Sequence, residues 1–120
     1  MASVHIKKLG SVVVLCVQGR IIRGETESLR RAVLAQMDAS AVVLDLARVN
    51  SIDAGGLGTL LELREQTQAE GIEFRLRNVT ELVGRILEIT RLNSVFEMAR
   101  EESLPLRWLS TCGPALEFRV

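Results

Sequence analysis

Ala41-Val42-Val43-Leu44-Asp45-Leu46, then Asp53-Ala54-Gly55-Gly56-Leu57-Gly58 and Thr59-Leu60-Leu61, is the stretch on which the fold turns. The first six residues are densely apolar and short, which predicts a strand covered on both faces at the centre of a sheet. Residues 53–58 read as a loop that opens a helix reaching about Gln68, with Leu57, Leu60 and Leu61 as its core stripe. A buried strand, a glycine-rich turn and a helix make one unit of an α/β sheet. The turn then lies at the carboxyl edge of the strands, where such folds meet ligands and partners.

Upstream, residues 4–9 and 11–17 predict two strands joined at Gly10 as a hairpin, with Gly19 ending the second. Leu29, Ala32, Val33 and Met37 fall on one stripe of a helix over 26–37, introduced by Gly24 and by Thr26 as a cap. Downstream, Gly71 closes the 53–68 helix, and Ile72, Phe74 and Leu76 alternate onto one face of a further strand. Asn78 with Glu81 resembles a capping box for a helix to about Thr90, and 94–98 is a short apolar segment. The order β-β-α-β-α-β-α predicts an α/β domain: a mixed four- to five-stranded sheet with helices packed on it through right-handed crossovers. The expected domain is 1–100. Residues 101–120, which hold both prolines (Pro105 and Pro114), form an extension, either a strand or an arm.

Composition narrows the function. The 120 residues are 48% hydrophobic and 25% charged, a globular balance in which about 65% of the unfolded surface is buried on folding. Fifteen basic residues offset fifteen acidic ones, and four aromatics (Phe74, Phe96, Trp108 and Phe118) are too few for a stacking platform, so no nucleic-acid partner is expected. The longest apolar runs, 12–17 and 41–44, are too short to span a bilayer, and no signal-peptide pattern opens the chain. A cytoplasmic location without membrane insertion is expected. Cys16 and Cys112 match no metal-ligand spacing, and the apolar surroundings of Cys16 suggest a buried free thiol.

Chemistry is sparse. His5 is the one histidine, on a strand with no nucleophile placed beside it, and Glu62, Glu65 and Glu70 sit on polar helix faces. Gly58 is followed by Thr59 and not by the lysine of a phosphate-binding loop. No catalytic residue, metal site or cofactor is expected. The 53–58 turn is the informative feature. Three glycines in four positions leave the helix start open, its N–H groups favour an anion or a partner's carboxylate, and Asp53 is placed to cap them. A tight turn with glycines for close packing is the plainer explanation.

The stretch from Val43 to Leu61 resembles the signature of the STAS family, the sulphate-transporter and anti-sigma-factor-antagonist domain. There a strand ending in Asp-Leu is followed by a D-S-S-G-x-G turn and an apolar helix. Residues 86–96 resemble the family's later helix and the short phenylalanine-containing segment after it, and Gly19-Arg20-Ile21 is similar to the end of its opening hairpin. The resemblance covers about 4–100. It implies a non-catalytic binding module: an anti-sigma factor antagonist that docks on an anti-sigma factor that is also a serine kinase, in a partner-switching system. In that cycle the kinase phosphorylates the second serine and breaks the complex.

The two family serines align with Ala54 and Gly55, so the acceptor position has no hydroxyl and cannot be phosphorylated. Ile22 stands where many antagonists carry an aspartate. The expected partner-binding residues are Ser51, Asp53, Ala54, Gly55, Gly56, Leu57, Gly58, Thr59 and Glu62, with Arg64 beside them. Ser51 and Thr59 are the substitute phosphorylation candidates. Gly55→Asp is expected to imitate the phosphorylated state. The rival readings are a cytoplasmic STAS subunit of an ABC-type lipid transport complex and a nucleotide-binding regulatory module, and a homodimer stays open.

Overall fold

A computed structural model describes residues 3–98, with side chains through 96. The elements are β1 (Ser3–Leu9), β2 (Val12–Ile21), α1 (Glu27–Leu34), β3 (Ala41–Ile52), α2 (Ala54–Ala69), β4 (Glu73–Arg77), α3 (Glu81–Ile89) and β5 (Glu97–Met98). They form one mixed sheet in the order β1-β2-β3-β4-β5, with four full strands and a two-residue fifth. The β1–β2 pair is an antiparallel hairpin turned at Gly10, whose φ of +65° suits glycine, and the other pairs are parallel.

The core shows why these residues make these elements. Val13, Leu15 and Val17 from β2, Val42, Leu44 and Leu46 from β3, and Phe74 and Leu76 from β4 point to one face of the sheet. Leu29 and Val33 of α1, Leu57, Leu60 and Leu63 of α2, and Val83 and Leu87 of α3 pack onto that face. The alternate residues Val14, Cys16 and Val43 form a separate buried cluster on the other face. Burial on both faces explains the unbroken apolar runs in β2 and β3. On that second face Asp45 and Arg77 sit side by side across β3 and β4 as a buried ion pair at 3.5 Å. Asp45 also accepts from Ala47 N–H and Asn78 Nδ2–H, both at 3.0 Å.

Several boundaries differ from the sequence reading. Gly19 does not end β2: with φ of +107° it lies among register shifts that let β2 run on to Ile21 and pair with an extended β3 as far as Ile52. Helix α1 stops at Leu34, short of Met37, where Gln36 N–H bonds to the Val33 carbonyl and tightens the last turn. The cap of α3 is Thr80, whose hydroxyl accepts from Val83 N–H at 3.2 Å. Asn78 is unavailable for that role, because it adopts φ of +55° and spends its amide on Asp45. Segment 94–98 ends in β5, and Phe96 is buried against Phe74 at 6.4 Å between ring centroids. Cys16 is buried at 9% exposure but is disulfide-bonded, which corrects the free-thiol expectation; an apolar run shows burial and says nothing of a thiol's oxidation. His5 is exposed on β1. The expected extension, 101–120, lies outside the described residues.

Candidate functional site

The carboxyl ends of β2 and β3 converge on the start of α2, and one side chain ties them together. Asp53 leaves β3 in an extended conformation and caps α2, accepting from Gly56 N–H at 2.8 Å. The same carboxylate accepts from Arg23 N–H at 3.0 and 3.2 Å. The Asp53 N–H reaches back to the Ile21 carbonyl at 3.4 Å, and its carbonyl accepts from Leu57 N–H at 2.9 Å. The Gly56 N–H holds the Asp53 carboxyl below its ordinary value of 3.8; desolvation opposes this, and the Arg23 N–H adds to it. The cap expected from sequence is therefore present, and it also anchors the segment after β2.

The three glycines have three different surroundings. A Cβ on Gly56 would overlap the Ile21 carbonyl oxygen and lie 2.7 Å from the carbonyl carbon. A Cβ on Gly55 would lie 2.6 Å from Arg23 Cβ. One on Gly58 would meet nothing within 4 Å. The first two let β2 and the following turn press against the helix; the third only leaves its surface bare.

The nine expected contact residues divide by burial. Asp53, Ala54, Gly58 and Glu62 are exposed, and Ser51 and Gly55 are half-buried. Gly56, Leu57 and Thr59 are buried and shape the face from beneath. Thr59 is 6% exposed, and its hydroxyl donates to the Gly55 carbonyl at 3.1 Å, so a kinase would have to unwind the first turn to reach it. Ser51 lies beside Arg20 in the β2–β3 ladder. Glu62 pairs with Arg30 of α1 at 2.6 Å, and Arg64 is half-buried. Ile22 is half-buried and begins a turn in which its carbonyl accepts from Glu25 N–H at 2.9 Å.

The sequence reading missed Arg23 and Ile21, which crowd the two glycines. Glycine inside a helix costs about 1 kcal/mol relative to alanine, so adjacent glycines at a helix start do signal a close approach. Nothing in the spacing says what approaches. Among the described residues no His, Cys, Asp and Glu cluster is arranged to hold a metal ion. An open cavity of about 430 Å³ lies elsewhere, along α3 between Val79 and Asn93. No helix of the described residues is long and apolar enough to cross a membrane.

Comparison with known proteins agrees with this architecture. The BtrV protein of Bordetella bronchiseptica, a proposed anti-sigma factor antagonist, is 28% identical over 109 residues, covering 89% of this chain and 94% of BtrV. The crystal structure of an anti-sigma factor antagonist from Mycobacterium paratuberculosis superposes with a TM-score of 0.73 at 22% identity, covering 86% of this chain and 90% of that one. The Bacillus cell fate determinant SpoIIAA in its phosphorylated form gives 0.64 at 16% identity, covering 84% and 95%. At those identities the two structures speak to the fold alone. The family profile described as STAS domain matches residues 3–104, and the chain belongs to the STAS domain family.

Proposed function

We propose that this protein is a non-catalytic anti-sigma factor antagonist that docks on an anti-sigma factor of the serine-kinase class. The docking face is made of Ser51, Asp53, Ala54, Gly55, Gly58 and the exposed side of α2 with Glu62. One observation carries this reading: Asp53, Ala54 and Gly58 leave short or absent side chains exposed at the α2 start, and the Asp53 carboxylate ties that start to the Arg23 backbone. A surface tied down by backbone hydrogen bonds suits a protein partner, because little conformational entropy is lost on docking. The match to BtrV, a proposed antagonist, over almost the whole of both chains supports the same reading.

The nucleotide-binding alternative fares worse. The Gly56 N–H that would receive a phosphate already binds Asp53, and that carboxylate would repel the incoming anion.

Position 55 carries no acceptor, so docking there escapes control by phosphorylation at that site and is constitutive. Gly55→Asp is a poor imitation of phosphorylation, because any side chain at 55 collides with Arg23 whatever its charge. Ala54→Glu is the cleaner probe. Ala54 is exposed in the first turn of α2, where a negative charge favours the helix.

Tagged wild type and Ala54→Glu are used to capture partners from lysate, and the captured protein is then purified and titrated against both. Burying an unpaired carboxylate costs on the order of 2–5 kcal/mol, a loss of roughly 30- to several-thousand-fold in affinity. A serine-kinase-fold partner that binds wild type and loses this much to Ala54→Glu supports the proposal. Equal affinity for both proteins, or transporter subunits as the partners, would sink it.

A further inference from the structure

Residues Ile22, Arg23, Gly24 and Glu25 form a tight turn that lies over the start of α2. The Glu25 N–H bonds to the Ile22 carbonyl at 2.9 Å, and Gly24 has φ of +86°, as the third position of a type II turn requires. Side-chain bonds among the described residues hold this turn. Arg20 and Glu25 pair across it at 2.9 Å, and the Arg23 N–H donates to the Asp53 carboxylate at 3.0 Å. The stem of Arg23 is thereby pressed against Gly55. A Cβ at 55 would stand 2.6 Å from Arg23 Cβ, 3.1 Å from its Cα and 3.2 Å from its Cγ. The first two atoms belong to the backbone or join it directly, so rotating the arginine side chain cannot clear them. Relief requires the turn itself to move, and Asp53 holds it.

We propose that Arg23 is the specificity-determining residue of this face: its stem closes position 55 to every side chain. The face then presents the exposed arginine beside bare backbone, and a side chain at 55 cannot enter until the turn shifts. Loss of the phosphorylation switch thus has two layers, a missing hydroxyl at 55 and an occupied space above it. Restoring the serine alone does not restore a switchable surface. The meaning of the face rests on the proposed docking function, whereas the steric claim stands on the chain alone.

A double-mutant cycle on the full chain tests it without any partner. Wild type, Gly55→Ser, Arg23→Gly and the double variant are unfolded in urea and followed by circular dichroism. Gly55→Ser is expected to lower the folding equilibrium constant about 10- to 100-fold in the wild-type background, as overpacking does. With Arg23→Gly already in place the same substitution changes the constant by less than about threefold. Gly55→Ala, which brings the same Cβ and no hydroxyl, serves if the serine variant does not fold.

Hydrogen exchange gives a second reading. The amide of residue 23 exchanges faster in Gly55→Ser than in wild type, because its bond to Asp53 is displaced, whereas in the double variant it exchanges at the same rate as in Arg23→Gly. An equal effect of Gly55→Ser in both backgrounds, large or small, overturns the role of Arg23 and leaves the docking proposal untouched. A strong coupling with no partner captured does the reverse.

Discussion

Gly56 and Gly58 sit two residues apart in one turn of α2, and the structure demands opposite outcomes when each becomes alanine. At Gly56 the new methyl overlaps the Ile21 carbonyl oxygen and lies 3.1 Å from Ile21 Cγ2. Neither side yields cheaply. The Ile21 carbonyl accepts from Asp53 N–H, and the Gly56 N–H is held by the Asp53 carboxylate, so separating helix from strand strains the whole cap. Overpacking against backbone costs about 3 kcal/mol, at the upper end of the usual range, and a loosened hydrogen bond adds about 1 kcal/mol. The better helix propensity of alanine returns about 1 kcal/mol, leaving a net loss of about 3 kcal/mol. At Gly58 the methyl enters open space, so only the propensity gain of about 1 kcal/mol remains. The two variants are therefore expected to differ by about 4 kcal/mol, close to a thousandfold in folding constant. Urea titration followed by circular dichroism reads this as midpoints moved in opposite directions with an unchanged slope. Gly56→Ala within about 1 kcal/mol of wild type, or Gly58→Ala destabilised by more than that, would show that β2 and α2 do not approach as described.

Three other outcomes are expected. Asp53 has its pKa lowered from 3.8 on folding, so its contribution is fully present above that value and is lost as pH falls through the lower folded value. Asp53→Asn should flatten that acid limb in a series of urea midpoints against pH, and an unchanged limb would dissociate it from this carboxyl. Asp45→Ala leaves Arg77, itself only 4% exposed, buried without its counter-ion, which is expected to cost about 3–5 kcal/mol. Replacing both partners, as Asp45→Leu with Arg77→Met, should recover most of this loss in the same assay. Leu60 is fully buried under the sheet, and Leu60→Ala should cost about 2–5 kcal/mol in thermal or urea unfolding.

Much of the fold is legible in the chain because its signals are local. The apolar runs at 12–17 and 41–46 are strands buried on both faces, and the periods of Leu29 with Val33 and of Leu57 with Leu60 mark helices on one side of the sheet. Boundaries set by distant contacts are less visible. Residues 47–52 look mixed in sequence, yet they stay in β3 because register shifts in β2 let 18–21 pair with them. The choice of Thr80 over Asn78 as a helix cap depends on Asp45, which is 33 residues from Asn78 in the chain and claims its amide.

The site was legible in the same partial way. Asp53 announces itself as a cap, since an acid before a helix rich in early glycine has few other uses. That it also holds Arg23, 30 residues away, is a tertiary fact with no local trace. Read along the chain, Ile22 and Gly55 are two unrelated positions, 33 residues apart. In three dimensions they border one place, because the turn that begins at Ile22 carries Arg23 directly over Gly55. A glycine at 55 and a clamped turn above it are then one structural solution. An isolated change at either position meets resistance from the other. That contact accounts for a glycine at 55 despite its cost in propensity, and it makes Gly55 and the turn above it one unit of the structure.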